Sequence, residues 1–171
     1  MVESFVATLD LDGITMMVQD WGGPIGLSVA VRHPERFRAL VIGNTFGWSL
    51  KGEKTFERFS KLRSRVPIHV LPREIMAAQP LLSEVEQGLG RLAHLPALIV
   101  WGDRAQAFKE PQLRRWEQTF PNHRTVVLHG ASHYIQEDAP EEIIAAITDW
   151  WPGQPANQQS ASRFGRLREH S

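Results

Sequence analysis

The 171-residue sequence contains no cysteine, one tyrosine, and no excess of charge of either sign, with 19 Lys and Arg against 19 Asp and Glu. Without cysteine there is no disulfide framework, thiolate metal site or cysteine nucleophile. Without a net charge there is no field to gather phosphate backbones or anionic lipid, so neither nucleic acid nor a membrane is an expected partner. No apolar run approaches the roughly 18 residues that would span a bilayer. The first residues, with Glu3, Asp10 and Asp12, lack the basic segment that opens a secretory signal, so a cytoplasmic location is expected. Nothing suggests a metal or another cofactor. What is present is 42% hydrophobic residues, enough for one domain that buries roughly two-thirds of its unfolded surface.

Short apolar runs alternate with amphipathic stretches. Ile14-Thr15-Met16-Met17-Val18, Leu40-Val41-Ile42, Ala97-Leu98-Ile99-Val100-Trp101 and Thr125-Val126-Val127-Leu128 read as strands buried in a parallel sheet. Helices are expected before the first of them, from Gly22-Gly23-Pro24 to His33, from Pro111 to Phe120, and from Pro140 to Trp151. The fold class is therefore α/β, with about four parallel strands, flanking helices and right-handed crossovers. Residues 1–44 and 96–151 form the core in this reading. Residues 45–95, polar with Phe56, Phe59, Leu62, Ile75 and Met76 at helical spacing, read as a short helical cap, and residues 152–171 as a disordered tail.

Two segments carry chemistry. Val18-Gln19-Asp20-Trp21-Gly22 lies where a strand turns into a helix, the context of a nucleophile elbow, with Asp in the central place. A carboxylate needs no base to attack. Displacing a leaving group from a saturated carbon gives an ester, which water can cleave, whereas a serine would leave an inert ether. An aspartate that only caps the following helix is the plainer alternative. Gly130-Ala131-Ser132-His133-Tyr134 follows the last strand, and His133 has the chemistry of a general base near neutral pH.

The segments Gln19-Asp20-Trp21-Gly22-Gly23-Pro24-Ile25-Gly26-Leu27, His33-Pro34-Glu35-Arg36-Phe37, Trp101-Gly102-Asp103-Arg104 and Gly130-Ala131-Ser132-His133-Tyr134 resemble the haloalkane dehalogenases of the α/β-hydrolase superfamily, over about residues 1–151. The resemblance implies a partial α/β-hydrolase fold and a small apolar halogenated substrate. It implies that Asp20 attacks the halogen-bearing carbon, that the Trp21 indole N–H holds the leaving halide, and that His133 activates the water that hydrolyses the ester. Trp21 as plain core packing is the alternative. Epoxide hydrolases share an aspartate elbow but resemble a design with cap tyrosines, and the one tyrosine here, Tyr134, lies outside the cap.

The sequence also departs from the family. Of its eight strands only the last four have counterparts, so the upstream loop that supplies a second backbone donor has none, nor does the Asn that is the second halide donor in many members. Asn44 is a weak substitute, standing where some members carry a carboxylate. The triad acid is expected at position 105, which is alanine, and Asp103, two residues earlier, is the nearest carboxylate that could orient His133. Loss of such an acid typically lowers turnover by about 10⁴. An impaired fragment acting as a binding module is thus a competing expectation. So is self-association through the open edge of the first strand, or completion of the sheet by a separate chain.

Overall fold

The computed structural model describes residues 1–50 and 78–151. The elements run α1 (Val2–Thr8), β1 (Ile14–Asp20), α2 (Gly22–Arg32), a 3₁₀ turn (Pro34–Arg36), β2 (Phe37–Thr45), α3 (Gln79–Gly88), a second 3₁₀ turn (Leu89–Leu92), β3 (Ala97–Gly102), α4 (Glu110–Thr119), β4 (His123–Leu128), α5 (Ile135–Asp138) and α6 (Pro140–Trp150). The strands form one parallel sheet in the order β1-β2-β3-β4. The fold is α/β with a parallel sheet, as the alternation of runs implies.

Because each right-handed crossover steps the same way along the sheet, α2, α3 and α4 fall on one face. Leu27, Leu82, Val85, Leu113 and Trp116 from these helices pack there with Val18, Leu40, Ile42, Ile99 and Trp101 from the strands. The opposite face is covered by α5 and α6, where Ile135, Ile143 and Ala146 meet Val41, Leu98, Val100 and Leu128. Strands β2 and β3 are buried along almost their whole length, which is why they read as continuous apolar runs. Among the described residues β1 and β4 are the edges, and Met17 on β1 is 47% exposed. No described helix is long and apolar enough to cross a membrane.

The stretch read as a cap, 45–95, divides differently. Residues 51–77 lie outside the described residues, as does the stretch 152–171 read as a tail. Gln79–Gly88 and the turn after it belong to the core layer, since Leu82, Val85, Leu89 and Leu92 are buried with α2 and the sheet. Their apolar spacing was hidden by surrounding Gln, Ser and Glu.

All parallel strands present their C-terminal ends at one edge, where Asp20, Asn44, Gly102 and the loop after Leu128 gather. The passage from β1 into α2 is made tight by Gly23. A Cβ there would stand 1.9 Å from Thr45 Oγ1 and 2.7 Å from the Phe46 carbonyl oxygen, and that backbone atom cannot swing away. Gly23→Ala is therefore expected to lower stability by about 1–3 kcal/mol. Gly22→Ala, where a Cβ meets nothing within 4 Å, is expected to be neutral or stabilising. Urea unfolding of the two variants checks this, and equal effects would contradict it.

Candidate active site

Asp20 closes β1 in the left-handed region, at φ 50°, a conformation that costs a non-glycine residue on the order of 1–3 kcal/mol. The surroundings hold it there. Thr45 Oγ1 donates to the Asp20 carbonyl, and the β1–β2 register slips between Gln19 and Asp20 so that Asp20 lies beside Thr45. Trp116 Nε1 donates to the Thr45 carbonyl at 3.0 Å from a fully buried position, tying α4 to the same spot. The result lifts the carboxylate off the sheet edge, with its side chain 41% exposed.

His133 stands opposite. Its Nε2 is 3.6 Å from Asp20 Oδ2, so the structure brings together the two residues read as nucleophile and base. The imidazole is flanked by Phe108, nearly parallel at 5.7 Å between centroids, and by Tyr134 at 4.9 Å. Phe46 stacks on Phe108 at 5.9 Å and takes the edge of Trp21 at 5.1 Å. Trp21 opens α2 beside Asp20, and its indole N–H has no hydrogen-bond partner among the described residues. An aromatic wall thus runs from Trp21 to His133. Phe46 and Phe108 were not singled out in the sequence, because an isolated aromatic after a strand carries no signature.

The other half of the imidazole has no support. His133 Nδ1 is buried without a hydrogen-bond partner. Position 105, where an acid is expected, is a buried alanine packed in the core. Asp103 does not take over. Its Oδ2 contacts His129 Nδ1 at 2.9 Å, and its Oδ1 accepts from the Gly130 backbone N–H at 2.8 Å. The hydrogen bond to His129, then that to Gly130, holds the Asp103 carboxyl below its ordinary range. It staples the loop after β4 instead of facing His133. Asn44, buried at φ 29°, is also committed: its Oδ1 accepts from Gly102 N–H at 2.8 Å and its Nδ2 donates to the Ser132 carbonyl at 3.1 Å. It is a tie between strand ends, not an open donor facing Trp21.

Further ties hold the His133 loop. Asp138 Oδ2 accepts from the Ser132 backbone N–H and hydroxyl, both at 2.6 Å, and Gln19 Nε2 donates to the His133 carbonyl at 2.7 Å. Gly102 lets the loop pass close, since a Cβ there would lie 2.6 Å from the Ser132 carbonyl oxygen. Alternation along β1 puts Gln19 and Val18 on opposite faces, a signal from which the Gln19 contact could have been found. The Ser132–Asp138 contact carries none without knowing that α5 is a single turn.

The Ser132 hydroxyl, and then its N–H, hold the Asp138 carboxyl below its usual range. A group with a lowered folded value stabilises fully above the unfolded value, about 3.9 for aspartate, and that contribution is lost as pH falls through the folded value. The stability gap between the parent and Asp138→Ala is therefore expected to be present at pH 7 and to narrow as pH falls below about 4. Urea midpoints across that range check it; a constant gap would contradict it.

Comparison with known proteins bears on the fold and the family. Residues 1–75 match a family model described as alpha/beta hydrolase fold. Haloalkane dehalogenase 2 of Mycobacterium tuberculosis is 31% identical over 194 aligned positions, which cover 86% of this chain and 68% of that protein. A cis-3-alkyl-4-alkyloxetan-2-one decarboxylase of Shewanella oneidensis is 27% identical, covering 85% of this chain and 62% of its own length. The crystal structure of the haloalkane dehalogenase DatA from Agrobacterium tumefaciens shares the fold with a TM-score of 0.63 at 18% identity, over 87% of this chain and 69% of that one. With a relative of this identity and coverage, and Asp20 facing His133 at the C-terminal edge of the sheet, the chain belongs to the haloalkane dehalogenase family of α/β-hydrolases.

Proposed function

We propose that this chain performs the dehalogenation chemistry of its family through Asp20, and that the second half of the cycle is slow. The Asp20 carboxylate attacks the halogen-bearing carbon from behind. The carbon–halogen bond breaks as the carbon–oxygen bond forms, leaving an aspartyl alkyl ester and a halide ion. The halide is received by the Trp21 indole N–H, a donor-only group with no hydrogen-bond partner among the described residues. The aromatic wall of Phe46 and Phe108 suits an apolar alkyl chain.

In the second step His133 Nε2 takes a proton from water. The hydroxide adds to the ester carbonyl, the alkoxide leaves with its oxygen from Asp20 and takes the proton back from His133 as the alcohol, and the Asp20 carboxyl releases its proton to water and returns as the carboxylate. The single observation that carries the reading is the 3.6 Å approach of His133 Nε2 to a carboxylate held at φ 50°. The slow second step is supported by the orphaned Nδ1. An imidazole gaining a proton at Nε2 develops charge over the whole ring, and no carboxylate among the described residues faces Nδ1 to stabilise that charge or hold the tautomer. The attack step asks nothing of His133 and is not slowed by that lack.

Incubation with a short 1-bromoalkane is therefore expected to release about one equivalent of bromide per chain in a burst, followed by a much slower phase. Asp20→Ala is expected to abolish the burst. Ala105→Asp is expected to raise the slow phase, toward a limit of about 10⁴-fold. A burst that survives in Asp20→Ala would overturn the mechanism. Fast release far beyond one equivalent in the parent would overturn the slow second step.

A further inference from the structure

The approach of base to nucleophile needs an explanation, since the usual means of holding the imidazole, a carboxylate on Nδ1, is lacking. Among the described residues several side chains hold the loop instead, Asp103 at its start through Gly130. Asn44 and Asp138 both act on Ser132. Gln19 bonds the backbone of His133 itself, its Nε2 donating to the His133 carbonyl at 2.7 Å, while Gln136 Nε2 donates to the Gln19 Oε1 at 3.4 Å. Gln19 is also the residue before Asp20, so the strand end that carries the nucleophile grips the backbone of the base directly.

We propose that Gln19 is a positioning residue for His133, fixing the spacing between imidazole and Asp20 that no carboxylate among the described residues fixes. The proposal rests on reading His133 as the base of the second step. With the Cα position held through the carbonyl, the imidazole retains only its two side-chain torsions, and Phe108 on one side and Tyr134 on the other restrict these. Removing the grip leaves a half-buried carbonyl without its donor and lets the loop move relative to β1. A misplacement of about 1 Å at a reacting pair can cost on the order of 100-fold in rate.

Gln19→Met keeps the length of the side chain and removes both of its hydrogen bonds. Two measurements on the full chain separate the proposal from the reading beneath it. In proton NMR, cross-peaks between the His133 ring and the rings of Phe108 and Tyr134 are expected to weaken in Gln19→Met; cross-peaks of parental strength overturn the proposal. By intact-mass spectrometry after reaction with a 1-bromoalkane, decay of the alkyl adduct is expected to slow by about 10 to 100-fold more than its formation does. Equal slowing of both steps means general loosening of the fold and overturns it. A parent adduct that never decays also overturns it, because His133 then has no step to be positioned for. No adduct at all in the parent sinks the ester reading instead, and the ring cross-peaks then decide alone on whether Gln19 positions His133.

Discussion

One non-glycine residue held in the left-handed region, Asp20 at φ 50°, is the constraint on which the rest of the molecule turns. A strand that simply ran into a helix would leave its last side chain flat against the sheet edge. Reversing the backbone at that residue lifts the carboxylate above the edge and starts α2 directly beneath it. The strain is offset by contacts that converge on Thr45: its hydroxyl on the Asp20 carbonyl, its own carbonyl on the buried Trp116, and its Oγ1 so near Gly23 that no side chain fits there. Three elements distant in sequence thereby serve one backbone angle.

The loop that carries His133 is solved by other means. Its backbone is tied at Ser132 by Asn44 and Asp138 and at His133 by Gln19, and its ring is packed between two aromatics. Position is thus well supplied, whereas charge is not. The buried Nδ1 without an acceptor is costly when neutral, about 1–3 kcal/mol for an unsatisfied polar group, and more so when the ring carries a proton. A site can therefore hold its base in place and still lack what lets that base work quickly. In the proposed cycle this distinction separates the attack, which needs geometry at Asp20, from the hydrolysis, which needs a stabilised imidazolium.

Much of this was legible in the sequence. Runs such as Ala97 to Trp101 are apolar on both faces because the strand is covered by helices on both sides, so strand type and parallel pairing follow. Asp20 and His133 were legible because each sits just after such a run. The ties were not. Asp103 and Asn44 have the residue types of a triad acid and a halide donor, but tertiary contacts commit one to His129 and Gly130 and the other to Gly102 and Ser132. Those contacts join positions 26 to 88 residues apart, beyond any local pattern. The core helix Gln79–Gly88 was hidden for a related reason, since burial on a single face leaves its other positions free to be polar.

The central claim is that the carboxylate of Asp20, not water, makes the first bond to carbon. It is tested most directly by a single turnover in oxygen-18 water, followed by mass analysis of the peptide containing Asp20 and of the alcohol. Hydrolysis of an aspartyl ester puts the label into the Asp20 side chain and leaves the first alcohol unlabelled, which is the result this account predicts. Label in the alcohol, with Asp20 unlabelled, would mean that water displaced the halide directly, and would contradict it.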